Sequence, residues 1–149
     1  MIKLLAGFFG LGYLPAGGTV ASVVSVVVYF LLRDNHPLYN ILTLLSTLAA
    51  LVVCGRAERA FGRKDPSQIV LDEISGMLVG FLFIPFSWSH ALVGFIVFRF
   101  FDIVKVYPLK KIESFPGAWG VVLDDLCAGV YANFILRILM FFNLILASR

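Results

Sequence analysis

The chain has 149 residues, of which 60% are hydrophobic and 14% are charged, and its mean hydropathy is +0.97. Soluble domains carry about 25% charged residues, so a soluble fold of this length would have too few polar residues to cover its surface. A net charge of +3 without a basic stripe argues against nucleic-acid binding. We therefore expect a polytopic membrane protein with one domain, residues 1–149, and no nucleic-acid partner.

The first apolar stretch, residues 4–32, contains no charge, but Pro-Ala-Gly-Gly at residues 15–18 interrupts it. These residue types break helices and turn chains. Residues 4–14 are predicted to form a short interfacial or re-entrant helix. A signal peptide is disfavoured because no small-x-small cleavage site precedes a soluble mature domain. The first span is predicted from Thr19 to about Arg33, which is short for a hydrocarbon core of about 30 Å.

Four later stretches each approach the roughly 20 apolar residues that cross a bilayer. They run from Pro37 to Gly55, Ile69 to Phe86, His90 to Val106 and Val121 to about Leu146. The pattern predicts an all-α membrane helical bundle with about five spans.

Basic residues in short loops predict the orientation of these spans. One side holds eight of them: Lys3, Arg56, Arg59, Arg63, Lys64, Lys105, Lys110 and Lys111. The other side holds only Arg33 and Arg149. The positive-inside rule therefore places the N-terminus and the side with eight basic residues in the cytoplasm.

Five acidic residues lie at span ends or within apolar stretches: Asp72, Glu73, Asp102, Asp124 and Asp125. The predicted topology places all five at the inner face, where Gly17, Gly18 and Thr19 begin the first span. A helix dipole favours an N-terminal acid by only about 0.3 to 1 kcal/mol, and Arg99 with Asp102 could be a simple i, i+3 pair. The convergence favours a shared functional site, because ionisable residues in spans are usually functional.

The residue types at this face indicate phosphoryl chemistry. Carboxylates with few histidines suit a hard cation, magnesium above all, so the five acids are the candidate metal ligands. Arg99 and Lys105 supply positive charge for a phosphate. The amides of Gly17 and Gly18 at a helix start can hold another phosphate oxygen. Because the site lies at the lipid boundary, we expect a lipid substrate with a phosphorylated head group.

The same five acids are the candidate catalytic residues. Neighbouring residues on a helix point about 100° apart, so each acidic pair is expected to give one metal ligand and one supporting group or general base. Which member takes which role stays open. We expect direct attack by a metal-activated water. Thr19 is the candidate nucleophile if a phosphoenzyme forms, although a helix cap or phosphate ligand is favoured for it.

Three sequence blocks at these positions resemble the bacterial phosphatidylglycerophosphatase A family. They are KDPSQIVLDEISGM at residues 64–77, FRFFDIVK at 98–105 and GAWGVVLDDLCAG at 117–129. The opening GYLPAGGTVAS at residues 12–22 resembles the family more loosely. The resemblance implies a magnesium-dependent phosphatase of the bacterial inner membrane that converts phosphatidylglycerophosphate to phosphatidylglycerol.

The chain departs from the family pattern in its opening block, which is one residue shorter, and by substitution at four positions. Gly17 replaces a proline, Ala21 a glycine, Val106 a proline and Ala118 a glycine. The five acids, Arg99, Lys105 and Thr19 are kept. The departures therefore bear on loop geometry and head-group preference more than on the reaction.

Two other functions compete with this reading. A small cation-binding transporter or channel subunit should carry its acids at mid-span or in rings. A CDP-alcohol phosphotransferase should carry a long acidic motif on one helix, and that motif is not present.

Cys54 and Cys127 lie in no metal cluster or cysteine-phosphatase loop. His36 and His90 fall on the predicted outer side, which argues against a histidine nucleophile.

Nothing in the sequence indicates an oligomeric state. Three further features of the sequence predict local structure. Gly76 and Gly80 form a small-xxx-small pair that predicts close helix packing. Arg137, deep in the last span, is expected to snorkel or to pair with an acid of another span. The basic residues 56–64 are expected to form a solvated loop that attracts anionic head groups.

Overall fold

The computed structural model describes residues 1–64, 66–107 and 109–147, with side chains described up to residue 142. Its helices are α1 (Ile2–Ala6), α2 (Gly17–Leu31), α3 (His36–Phe61), α4 (Leu71–Gly80), α5 (Trp88–Val104), α6 (Leu109–Glu113) and α7 (Ala118–Ala147). A 3₁₀ segment, Phe8–Tyr13, joins α1 to α2. No strand occurs among the described residues, so the prediction of an all-α fold is confirmed for them.

Within the described part of the chain, two helices are long and apolar enough to cross a membrane, His36–Phe61 and Ala118–Phe142. The 15 residues of α2 and the 17 of α5 rise only about 1.5 Å each, so both helices are shorter than a hydrocarbon core of about 30 Å. A membrane bundle is consistent with these lengths, but the predicted number of five spans is not confirmed.

Helix α3 extends beyond the span predicted for residues 37–55. It begins after Asn35, whose side chain accepts a hydrogen bond from the backbone N–H three residues later at 3.1 Å. It ends before Gly62, where a φ of 71° gives the left-handed cap that glycine tolerates best. Arg56 and Arg59 therefore lie on the last turns of a helix and not in the predicted loop.

The predicted continuous span from Ile69 to Phe86 is wrong, because α4 ends at Gly80 after 10 residues. A helix that ends inside a bundle leaves backbone carbonyls that need new donors. Side chains from three other helices supply them. The donor–acceptor pairs are Tyr39 to Leu78 (2.7 Å), Asn133 to Gly80 (3.1 Å) and Leu82 (2.8 Å), and Tyr29 to Pro85 (2.8 Å).

Arg137 takes part in this arrangement and not in an ion pair with an acid of another span. Its Nε donates to the side-chain oxygen of Asn133 at 2.7 Å, and its Nη2 donates to the carbonyl of Leu82 at 3.2 Å. The first bond orients the Asn133 amide toward the end of α4. Of the two predicted alternatives, an acidic partner is not found among the described residues, and snorkelling stays a prediction. The guanidinium contacts the carbonyl of Leu82, just beyond the end of the interrupted helix.

The N-terminal residues do not form the single helix predicted for residues 4–14. The 3₁₀ segment contains a positive φ of 108° at Gly10, a conformation that glycine adopts without steric cost. A Cβ added to Gly12 would overlap the backbone carbonyl of Gln68. The segment therefore lies directly against the turn that leads into α4.

Helix α4 is central and packs against α7, α2 and α3. A Cβ added to Gly76 would lie 2.5 Å from the backbone oxygen of Asp125, and one added to Gly129 would overlap the carbonyl of Gly76. The two backbones thus approach too closely for any larger residue. The predicted close packing is confirmed at Gly76, whereas a Cβ at Gly80 would lie at an ordinary 3.6 Å from its nearest neighbour.

We expect Gly76→Ala to lower the free energy of unfolding by about 1 to 3 kcal/mol, as over-packing does, although alanine gains roughly 1 kcal/mol over glycine in a helix. Gly80→Ala is the matched control on the same helix, because a Cβ there would lie 3.6 Å from its nearest neighbour, an ordinary contact. Thermal unfolding of the detergent-solubilised variants measures both. Equal unfolding midpoints for the two variants would contradict the close contact at Gly76.

Candidate active site

A cavity of about 530 Å³ lies between the ends of four helices. Its lining includes every residue predicted for the site: Gly17, Gly18, Thr19, Asp72, Glu73, Arg99, Asp102, Lys105, Asp124 and Asp125. The remaining lining residues are Gly12, Leu14, Ala16, Ser67, Ile69, Ile103 and Val121. The structure thus brings together all the predicted positions.

Each helix contributes one of its ends to this cavity. The contributions are Gly17–Thr19 at the start of α2, Asp72 and Glu73 in the first turn of α4, Arg99 to Lys105 at the end of α5, and Asp124 and Asp125 in the second turn of α7. The close contact at Gly76 determines how near two of these ends lie. Because Gly76 is one turn after Asp72 and touches Asp125, the acids of α4 and α7 face the same space.

Arg99 joins two of the acids. Its Nη1 lies 2.6 Å from Oδ2 of Asp102, one turn along the same helix, and 3.2 Å from Oε1 of Glu73 on α4. All three side chains are less than one-fifth exposed. The predicted i, i+3 pair therefore forms, but its arginine also reaches a second helix, so a purely local pair does not describe it.

Lys105 makes the corresponding link to α7. It follows α5 with a φ of 45°, a left-handed conformation that residues other than glycine rarely adopt. Its Nζ lies 2.7 Å from Oδ2 of Asp124 and 3.0 Å from Oε1 of Glu113. Sequence reasoning missed Glu113. The available signal was an acid in the same inner connection as Lys105.

The acids of the cavity are deeply placed. Asp72, Asp124 and Asp125 have relative exposures of 3%, 4% and 5%. Five carboxylates face two cations, Arg99 and Lys105, so the cavity carries a formal excess of three negative charges.

The start of α2 also lines the cavity, at Gly17 and Gly18. The first N–H groups of a helix have no upstream carbonyl within the helix to donate to. The preceding residue, Ala16, is left-handed with a φ of 57°. A Cβ on Gly18 would overlap the carboxylate of Glu73. Glycine at this position therefore lets an acid of α4 approach the helix start.

The donor chemistry of the cavity fits a hard divalent cation, because five of its described lining residues are acids and two are cations, a difference of three. The residues that would hold such an ion are the five predicted acids. Among the described residues, however, no three acids, histidines or cysteines are close enough to form a ready-made coordination shell. Arg99 and Lys105 contact three of the acids instead.

The lining also includes residues that the sequence did not single out. Ser67 lies in the turn before α4 and brings a hydroxyl to the rim. Its position in the block at residues 64–77 was the only signal. His90 is placed elsewhere, with its Nδ1 2.9 Å from the carbonyl of Pro85, and neither it nor His36 lines the cavity within the described part of the chain.

The chain is similar to known proteins along most of its length. A protein-family model described as Phosphatidylglycerophosphatase A matches residues 4–140. A Bacteroides thetaiotaomicron protein described as "Putative phosphatidylinositol-3-phosphatase" is 34% identical over 145 residues, which are 91% of this chain and 91% of that protein.

Two further relatives are described as Phosphatidylglycerophosphatase A. The Haemophilus influenzae protein is 34% identical over 136 residues, 88% of this chain and 83% of that protein. The Escherichia coli protein is 30% identical over 137 residues, 89% of this chain and 80% of that protein. No solved structure matches the chain.

Proposed function

The chain belongs to the phosphatidylglycerophosphatase A family of phosphoric monoester hydrolases, and we propose that it hydrolyses phosphatidylglycerophosphate to phosphatidylglycerol and phosphate. The observation that carries this proposal is the single cavity in which carboxylates, two cations and a helix N-terminus meet. These are the groups that phosphoryl transfer requires, because the transferred group must be held and its charge stabilised.

In the proposed complex, the terminal phosphate binds between the start of α2 and the cations of α5. The amides of Gly17 and Gly18 donate to phosphate oxygens, as helix N-termini do for anions. Arg99 and Lys105 donate charge-assisted hydrogen bonds to the remaining phosphate oxygens. Both cations contact carboxylates at 2.6 to 3.2 Å in the structure, so substrate binding exchanges carboxylate partners for phosphate partners.

Hydrolysis then needs a base near the phosphorus atom. The oxygen of water bonds to phosphorus, the bond from phosphorus to the glycerol oxygen breaks, and one water proton passes to a carboxylate. The leaving oxygen takes up a proton, which gives the alcohol and inorganic phosphate. We assign the base to the Asp124–Asp125 pair or to Asp72, because these acids are almost fully buried and line the cavity.

We also propose that magnesium is the cofactor. When bound, it neutralises phosphate charge and lowers the pKa of a bound water. Asp72, Glu73, Asp102, Asp124 and Asp125 are its proposed ligands or their supporting groups. The formal excess of three negative charges in the cavity supports this assignment.

Phosphate release from phosphatidylglycerophosphate in mixed micelles tests the proposed activity. Phosphatidylinositol 3-phosphate should be included, because one relative carries that description. Arg99→Gln is expected to raise KM, lower kcat, or both, since it removes a phosphate contact. Arg33→Gln is the matched control, because Arg33 also pairs with an acid, Asp34 at 3.4 Å, but lies outside the cavity. If wild-type protein did not hydrolyse phosphatidylglycerophosphate, the proposal would be refuted, and hydrolysis of the inositol lipid alone would indicate the other substrate.

We further propose that the protein spans the bacterial inner membrane several times and that its active site opens on the cytoplasmic side. The test uses a variant without Cys54 and Cys127, placed in sealed vesicles. In that background, Ser67→Cys and Ser114→Cys should both react with a membrane-impermeant thiol reagent added on the cytoplasmic side. Ser89→Cys should react only from the opposite side. These three serines are exposed. Labelling of positions 67 and 114 from opposite sides would contradict a site at one face.

A further inference from the structure

A second, apolar groove lies between α2 and α5. It has a volume of about 210 Å³, and its lining consists of Val23, Val26, Trp88, Ala91, Leu92 and Phe95. Val23 and Leu92 are 47% and 61% exposed, so the groove opens sideways and is not a closed cavity of the core. Nothing in the proposed chemistry of the polar cavity uses it.

The groove continues the active-site cavity along the same two helices. On α2, Thr19 lines the polar cavity and Val23, four residues later, lines the groove. On α5, Arg99 lines the polar cavity and Phe95, four residues earlier, lines the groove. Residues four apart lie on one helix face and about 6 Å apart along the axis. The polar and apolar linings are therefore in register.

Aromatic side chains close the far end of the groove. Trp88 stacks on Phe30 of α2 with ring centroids 5.3 Å apart, and Phe86 packs edge-on against Trp88, also at 5.3 Å. The groove thus has a polar end at the cavity and an apolar end at this aromatic cluster. An amphiphile with a phosphorylated head matches that order.

We propose that the groove between α2 and α5 binds a fatty acyl chain of the lipid substrate while its phosphate occupies the polar cavity. This inference rests on the proposed function. The chain enters sideways from the bilayer, and its contacts with Val23, Leu92 and Phe95 supply binding free energy that a water-soluble phosphomonoester lacks. An ordinary boundary lipid is the alternative occupant that the experiments must separate.

The first experiment compares long-chain and dihexanoyl phosphatidylglycerophosphate in the same mixed micelles. Val23→Trp fills the groove from an exposed position. It should raise KM for the long-chain lipid about 10-fold, which corresponds to roughly two methylenes kept from apolar contact. It should leave the dihexanoyl lipid unaffected. Val27→Trp is the matched control, because Val27 lies on the same helix with the same 47% exposure and does not line the groove.

The groove assignment would be overturned if Val23→Trp hydrolysed both lipids as wild type does. It would also be overturned if the variant lost activity equally toward the long-chain and the dihexanoyl lipid. Failure of the proposed function is a different result, in which wild-type protein hydrolyses neither lipid. The groove remains testable in that case by crosslinking with phosphatidylglycerophosphate and phosphatidylcholine that carry a diazirine in one acyl chain.

Only the phosphatidylglycerophosphate probe should label residues 23–26 and 88–95, and unlabelled phosphatidylglycerophosphate should compete. Val23→Trp should reduce this labelling, whereas Val27→Trp should not. Equal labelling by both probes, or labelling confined to the exposed face of α3 at Leu44 and Leu48, would show boundary lipid and overturn the inference.

Discussion

Chelation of divalent cations should abolish phosphate release by the purified protein, and added Mg²⁺ should restore it. The cavity carries five carboxylates against two cations, and a phosphate group brings further negative charge to the same space. Without a metal, Arg99 and Lys105 alone would have to offset both the acids and the substrate. We therefore expect activity in excess chelator to fall by about 1,000-fold or more, since metal ions supply several kcal/mol to phosphoryl transfer.

Mg²⁺ should also raise the unfolding midpoint of the protein in the absence of substrate, because a ligand that binds only the folded state stabilises it. Sodium chloride at equal ionic strength is the control for simple screening of the acids. Undiminished turnover in excess chelator would contradict the metal assignment, and the phosphatase activity itself would then need another source of charge stabilisation.

The convergence of the site was predictable because charge is scarce in this sequence. When 14% of residues are charged, an acid at the end of an apolar stretch has few structural explanations. The distribution of basic residues assigned those acids to one face. Asp72 and Asp125 are 53 positions apart in the sequence, yet both were expected at one site, and both line the same cavity.

The interruption after α4 was not predictable in the same way. Residues 81–86 are entirely apolar, so hydropathy alone extends a span through them, although Pro85 lacks a backbone N–H and disfavours helix in the residues just before it. Donors from elsewhere satisfy the carbonyls at and beyond the end of α4, and Tyr39 and Asn133 lie far from Leu78 and Leu82 in sequence. A single sequence does not reveal such tertiary hydrogen bonds.

The ion pairs illustrate the same limit within the site. The spacing of Arg99 and Asp102 predicts their contact, whereas the contact of Arg99 with Glu73 depends on how α4 packs beside α5. Lys105 reaches Glu113 only because the chain turns back after α5. Membership of the site follows from the sequence, but the pairing among its members requires the fold.

Replacement of the cavity acids should separate catalytic from structural roles. We expect Asp102→Asn, and an amide at one or both members of each pair, to lower kcat by about 100-fold or more. The pairs are Asp72 with Glu73 and Asp124 with Asp125. An amide keeps the shape of the side chain but cannot accept a proton or balance a metal charge. Steady-state phosphate release gives kcat, and size-exclusion chromatography with thermal unfolding verifies that each variant is folded.

Asp34→Asn is the matched control for these substitutions. Its side chain is 86% exposed and pairs with Arg33 at 3.4 Å, so it tests the loss of an ion-paired aspartate outside the cavity. Exposed pairs contribute only about 0 to 1 kcal/mol, and its activity should stay near that of wild type. If every cavity variant also kept near-normal kcat, the acids would serve only to hold Arg99 and Lys105. In that case Arg99→Gln should reduce stability more than activity, and the assignment of these acids to catalysis would be wrong.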